Sequence, residues 1–183
     1  MNPNATITDE QFKAYLKKVR DMVEGPYTEW QKEIEVTNTF PEKFYQSNID
    51  NDIYRYSLPV EYGGWGLSEK EILQVQEEFS RGPSGMRMHM HYASDLNWRI
   101  LNDFGQPEIK EKYMPLFQDK TIFTCFALTE QSGGTGADIH TTAVKDENGD
   151  YILNGEKWLI SHTDCCEFAY VIAVTDPTKQ GDE

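Results

Sequence analysis

Residues 125–138, CFALTEQSGGTGAD, decide how the rest of the chain is read. They continue an apolar run that begins at Ile122 and is rich in aromatic and β-branched residues, the composition of a buried strand. At Thr129-Glu130 the run turns polar and opens into a loop with glycine at 133, 134 and 136. Glycines so spaced allow φ > 0 and let a ligand approach bare N–H groups. Thr129, Ser132 and Thr135 add hydroxyls that donate or accept. A strand feeding such a loop suits a flat, heteroatom-rich ligand with a phosphate tail. Two phosphate motifs are excluded. Asp138–Thr142 has strand character and opens no helix, so this is not the dinucleotide fingerprint; no Lys-Ser/Thr pair follows the glycines, so it is not a P-loop.

Outward from this stretch the periodicity differs on the two sides. Downstream, strands are expected over His140–Lys145, Tyr151–Leu153, Lys157–Ser161 and Phe168–Val174, after a first strand over Thr121–Leu128. Asn148-Gly149 and Asn154-Gly155 mark the turns between them. Short strands at regular intervals imply an antiparallel sheet or barrel, and five strands do not close one. Upstream, the spacing is helical. Thr8-Asp9-Glu10-Gln11 and Ser68-Glu69-Lys70-Glu71 are capping boxes, and Phe12, Leu16, Val19 and Val23 trace the first helix up to Gly25-Pro26. A second helix is expected over Tyr27–Val36, a short one from Phe40 to Tyr45, and others after Ser68, from Met86 to Phe104 and from Pro107. Asn48–Arg55 reads as polar loop, and Leu58–Ser68 as a connector rich in glycine. The fold class is therefore α+β, with an all-α domain over 1–120 and part of an antiparallel β domain over 121–183.

Composition bounds the function. The 183 residues carry 17 basic and 31 acidic side chains, a net charge of −14. That balance argues against nucleic-acid binding, which needs clustered Lys and Arg, and against an anionic membrane surface. Apolar residues at 38% and aromatics at 13% suffice for a core. Three cysteines, two of them adjacent at 165 and 166, give neither a disulfide framework nor metal-ligand spacing. No apolar run reaches 18 residues, so no membrane insertion is expected, and a cytoplasmic protein is. His89 and His91 are two apart, and on a helix they face different sides, which is wrong for joint metal ligation.

Three separated motifs in order carry a more specific signal: Pro59-Val-Glu61-Tyr62-Gly63-Gly64-Trp-Gly66-Leu67-Ser68, then Phe126-Ala-Leu-Thr129-Glu130 with its glycine loop, then Asn154-Gly155-Glu-Lys157-Trp-Leu-Ile-Ser161. Together they resemble the acyl-CoA dehydrogenase family, flavoenzymes that desaturate acyl-CoA thioesters. The resemblance runs from about Thr8 to the last residue and covers the front half of such a protein. It implies FAD as cofactor, acyl-CoA as substrate, electron-transfer flavoprotein or a similar acceptor as partner, and a homotetramer in the full-length form. It implies that Phe126 and Leu128 pack along the isoalloxazine, that Thr129 bonds its pyrimidine edge, and that Gly134-Thr135 meet the pyrophosphate. Ser161 falls where the family places a hydroxyl near flavin N5. The helix containing His89 and Tyr92 would line the acyl pocket, with Tyr92 at its floor and Thr135 also near substrate. The family's base is a Glu on a C-terminal helical bundle, so no catalytic residue is assigned in this chain, and the chain alone is expected to be inactive. A flavoenzyme of the same fold with another substrate, of nitroalkane oxidase or flavin monooxygenase type, is the alternative; a non-catalytic helical interaction subunit is another.

The sequence departs from the family pattern twice. Gln131 stands where the family has proline, and the loop acid is displaced to Asp138. The aromatic that commonly lies two residues after the Lys is replaced by Leu159, with Trp158 one position earlier. If this segment is a strand, neighbours point to opposite faces. Trp158 then turns away from the flavin unless a bulge reorients it, and Leu159 packs on the ring without stacking.

Overall fold

The computed structural model describes residues 2–119, 122–132, 138–176 and 178, the side chain of 119 excepted. They fall into two compact units, one ending at Ile122 and one starting at Phe123. The α+β class holds. The first unit is helical and the second carries short strands.

The first unit starts with α1 (Asp9–Met22). Its capping box is closed: the Gln11 N–H donates to Thr8 Oγ1 at 3.2 Å, and the Thr8 N–H donates to Gln11 Oε1 at 2.8 Å. At Gly25-Pro26 the chain kinks. Gly25 leaves helical geometry (φ −98°, ψ −106°), and Pro26 has no N–H to continue the ladder. Then α2 (Thr28–Thr37) runs to Asn38, whose left-handed backbone (φ 52°) ends it. After Pro41 comes α3 (Glu42–Asp50), longer than the expected Phe40–Tyr45 segment. The predicted polar loop 48–55 is corrected here: Asn48 lies inside α3 and is buried, and Ile53, Tyr54 and Tyr56 enter the core through tight turns. Asn48 tolerates burial because its amide is used on both sides. Tyr27 OH donates to Oδ1 at 2.6 Å, and Nδ2 donates to Tyr54 OH at 3.1 Å.

The connector 58–68 holds one short 3₁₀ turn, Val60–Tyr62. A Cβ at Gly64 would lie 1.8 Å from Leu58 O, so only glycine fits there. From Ser68, whose N–H donates to the Glu71 carboxylate at 2.7 Å, α4 (Glu69–Phe79) packs along α1. Next, α5 (Ser84–His91), a π-helical turn (Tyr92–Leu96) and α6 (Asn97–Phe104) form one run, followed by α7 (Pro107–Tyr113) and a 3₁₀ turn (Met114–Asp119). The core gathers Phe12, Val19 and Val23 from the first helix and its kink, Phe44, Ile72, Val75 and Phe79, and Met86 and Met90 from α5. No helix among the described residues is long and apolar enough to cross a membrane.

In the second unit, β1 (Thr124–Ala127) pairs in parallel with β4 (Phe168–Val171), with Cys125 opposite Ala169. β2 (Thr142–Lys145) and β3 (Tyr151–Asn154) form an antiparallel hairpin, Ala143 opposite Leu153. Its turn is held by the Asn148 N–H donating to Asp146 Oδ1 at 2.8 Å, with Gly149 at φ +89°. The pairing is thus mixed. The predicted strand 168–174 changes partner midway: Ile172 N–H still donates to Ala127 O, and Val174 then bridges to Thr142. The predicted strand 157–161 is absent. Leu159 (φ +51°) and His162 (φ +67°) take left-handed backbone, and 161–165 is a series of turns.

Candidate functional site

The end of β1 is where the sequence motifs converge. Strand alternation buries Cys125 and Ala127 and leaves Phe126 and Leu128 half-buried on the other face. Thr129 is half-buried, and its hydroxyl has no hydrogen-bond partner among the described residues. Its backbone is pinned. Lys157 Nζ donates to Leu128 O at 2.9 Å, and Trp158 N–H donates to Thr129 O at 2.8 Å.

Below it lies Glu130, 4% exposed. Its carboxylate receives four donors. The His140 N–H reaches Oε2 at 2.8 Å, while the Thr141 N–H at 2.8 Å, the Thr141 hydroxyl at 2.6 Å and Lys157 Nζ at 2.9 Å all converge on Oε1. The Thr141 hydroxyl is the largest influence, and with the two N–H groups and Lys157 it outweighs burial; the carboxyl is held at about 2. Lys157 is nearly as enclosed, with 11% of its side chain exposed. Gly155 completes the cluster: at φ +148°, a Cβ there would lie 2.5 Å from Thr141 Oγ1. The consequence is geometric. Each of Leu128, Thr129 and Glu130 is tied to 157–158, so the segment that follows β1 is held there and presents Thr129 with its hydroxyl unspent. A carboxylate so fully used as an acceptor is not available to take a proton from a substrate.

The other expected site residues are placed as follows. Leu159 is 84% exposed with left-handed backbone, and Trp158, 45% exposed, lies outside any strand. The strand-alternation argument for their opposite facing therefore fails, because the left-handed backbone at Leu159 breaks the extended run. Ser161 is exposed, and its side chain makes no hydrogen bond among the described residues. Gly134 and Thr135 lie outside the described residues. In the helical unit, His89 is 3% exposed and ringed by Phe40, Phe44, Tyr45 and Tyr54, with its Nε2 3.0 Å from Tyr54 OH. It belongs to a buried polar chain that includes Tyr27, Asn48 and Tyr54. Tyr92 is half-buried and opens the π-helical turn, a feature common at functional positions.

Sequence reasoning missed Glu130, Lys157 and Thr141 as a unit. Glu130 and Thr141 are 11 positions apart and Glu130 and Lys157 are 27 apart. The available signal was a charged pair flanked by apolar strand residues, each beside a turn.

Two half-buried apolar side chains, an adjacent hydroxyl with no partner among the described residues and a hydrogen-bonded backbone suit a planar heteroaromatic ring of the flavin type. Comparison with known proteins points the same way. Residues 8–120 match the model of the acyl-CoA dehydrogenase N-terminal domain, and residues 125–183 that of the middle domain. The cyclohex-1-ene-1-carbonyl-CoA dehydrogenase of Syntrophus aciditrophicus is 33% identical over 178 residues, covering 94% of this chain and 42% of that one. The caffeyl-CoA reductase-Etf complex subunit CarC of Acetobacterium woodii is 30% identical over 172 residues, 93% of this chain and 45% of that one. The crystal structure of a glutaryl-CoA dehydrogenase from Mycobacterium smegmatis, in complex with FADH2, superposes with a TM-score of 0.81 at 25% identity, covering 92% and 44% of the two chains. This chain spans less than half the length of each of these three.

Proposed function

Since the chain belongs to the acyl-CoA dehydrogenase family, we propose that it forms the helical and flavin-binding front part of an FAD-dependent enzyme that desaturates an acyl-CoA thioester between its α and β carbons. The observation that carries this is the pinned end of β1, with an unpartnered Thr129 hydroxyl beside Phe126 and Leu128. When bound, FAD supplies the acceptor for the β-hydrogen. Phe126 and Leu128 give the ring an apolar wall and exclude water. Thr129 donates to its pyrimidine edge, and the Glu130–Lys157 pair holds Thr129 in place. Gly134-Thr135 are assigned to the pyrophosphate, Leu159 to apolar contact and the Ser161 hydroxyl to the N5 side. His89 and Tyr92, with Thr135, are assigned to the acyl-CoA side.

No carboxylate here is assigned as the base, so the isolated chain binds without turning over. An electron-transfer flavoprotein is the partner we assign, in keeping with the name of the Acetobacterium relative. A homotetramer is the assembly proposed for the full-length protein. Three cysteines, two of them adjacent, give no disulfide framework, and we place the protein in the cytoplasm.

The test is FAD titration of the chain by quenching of flavin fluorescence. Thr129→Val keeps the shape and removes one hydrogen bond, about 1.4 kcal/mol, so affinity falls about tenfold. An unchanged dissociation constant in a variant with unchanged circular dichroism would overturn the role of Thr129. Absence of any FAD binding by the chain would overturn the flavin reading itself.

A further inference from the structure

Cys125 on β1 is 1% exposed, and its sulfur lies 3.6 Å from that of Cys166, which donates to it. The strand register does not bring them together, since Cys125 sits opposite Ala169. The turns over 161–165 do so, locked by the Glu167 N–H donating to Phe123 O at 2.8 Å. Cys166 is half-buried and Cys165, beside it, is exposed; none of the three is in a disulfide. A disulfide needs a sulfur separation of about 2.05 Å. Closing the gap therefore takes about 1.6 Å, within reach of a side-chain rotation of Cys166, which lies before β4 rather than in it.

We propose that Cys125 and Cys166 form a reversible disulfide in response to a low-molecular-weight disulfide such as glutathione disulfide. The Cys166 thiolate attacks one sulfur of the small disulfide, giving a mixed disulfide and releasing one thiolate. The Cys125 thiolate then attacks the Cys166 sulfur, closing the protein disulfide and releasing the second small thiol. The two cysteines lose two protons and two electrons, and the small disulfide is reduced to two thiols. Burial, with the hydrogen bond and charge of Cys166 added, pushes the Cys125 thiol up to about 11, so closure draws on a small thiolate fraction and is the slow step. The bond ties the turns that follow Ser161 to the strand that leads to Thr129. It does not depend on the flavin assignment.

The test treats the full chain with glutathione disulfide, caps remaining thiols and maps tryptic peptides without reductant. Cleavage after Lys120, Lys145 and Lys157 separates Cys125 from the peptide that holds Cys165 and Cys166. The expected product is lighter by two hydrogens, joins the two peptides and reverts with dithiothreitol. Because Cys165 and Cys166 share a peptide, Cys165→Ser identifies the sulfur, and the cross-link survives it. A link lost in Cys165→Ser, a vicinal 165–166 disulfide in the parent chain, or a lasting glutathione adduct with no link to Cys125 would each overturn the proposal.

Discussion

Thr141→Val removes the donor that bears most on Glu130 while keeping side-chain volume. The parent carboxyl sits at about 2, against an ordinary 4.5, and the Thr141 hydroxyl is the largest cause, ahead of the two backbone N–H groups and Lys157. In the variant, one of four donors is gone and Oε1 keeps two. The carboxyl therefore titrates higher, between about 2 and 4.5. Glu130 is depressed in the folded state, so its contribution to stability is complete above pH about 4.5 and is lost as pH falls through about 2. Within that window the unfolded state binds one more proton than the folded state. Raising the folded value narrows the window from below, and the acid-unfolding midpoint moves to higher pH. The assay is carbon-13 NMR titration of the Glu130 carboxyl in the full chain, with acid unfolding followed in parallel by circular dichroism. If the Glu130 value stays near 2 in Thr141→Val and rises in Lys157→Met, the ion pair rather than the hydroxyl sets it, and the leading role of Thr141 is refuted.

Other substitutions test the helical core and the turn. Tyr27→Phe leaves Asn48 Oδ1 buried without its 2.6 Å donor and should cost about 1–3 kcal/mol in urea unfolding. Tyr15→Phe should do the opposite: the Tyr15 hydroxyl is buried and has no partner among the described residues, so its removal leaves stability equal or higher by up to about 1–3 kcal/mol. Equal losses in the two variants would refute the difference drawn between them. Leu159 is exposed and left-handed at φ +51°, so Leu159→Gly should raise the melting temperature by an amount equivalent to about 1 kcal/mol. A lower melting temperature would show that Leu159 packs against something its exposure does not reveal.

Much of the helical unit was legible because local rules set it. Thr8/Gln11 and Ser68/Glu71 are neighbours in sequence, and Gly25-Pro26 interrupts the helix through its own backbone. Asn48 and Tyr54 were not legible. A polar run reads as loop unless its partners are known, and the partners of Asn48 are Tyr27, 21 residues before it, and Tyr54. At the site, the strand expected over Thr121–Leu128 was visible from composition, and β1 occupies Thr124–Ala127 of it. The 157–161 segment was misread as a strand, since its β-like residues gave no hint that Lys157 would turn inward to a buried acid.

The sequence alone thus determined the class of each half, the capping points and turns, and the family to which the motif order belongs, because these depend on neighbours a few residues apart. Tertiary structure decided what those elements are attached to. The parallel pairing of β1 with β4, the burial of Glu130 against Thr141 and Lys157, and the meeting of Cys125 with Cys166 join positions 11 to 44 residues apart. Burial makes such contacts strong, and no local preference in the chain announces them.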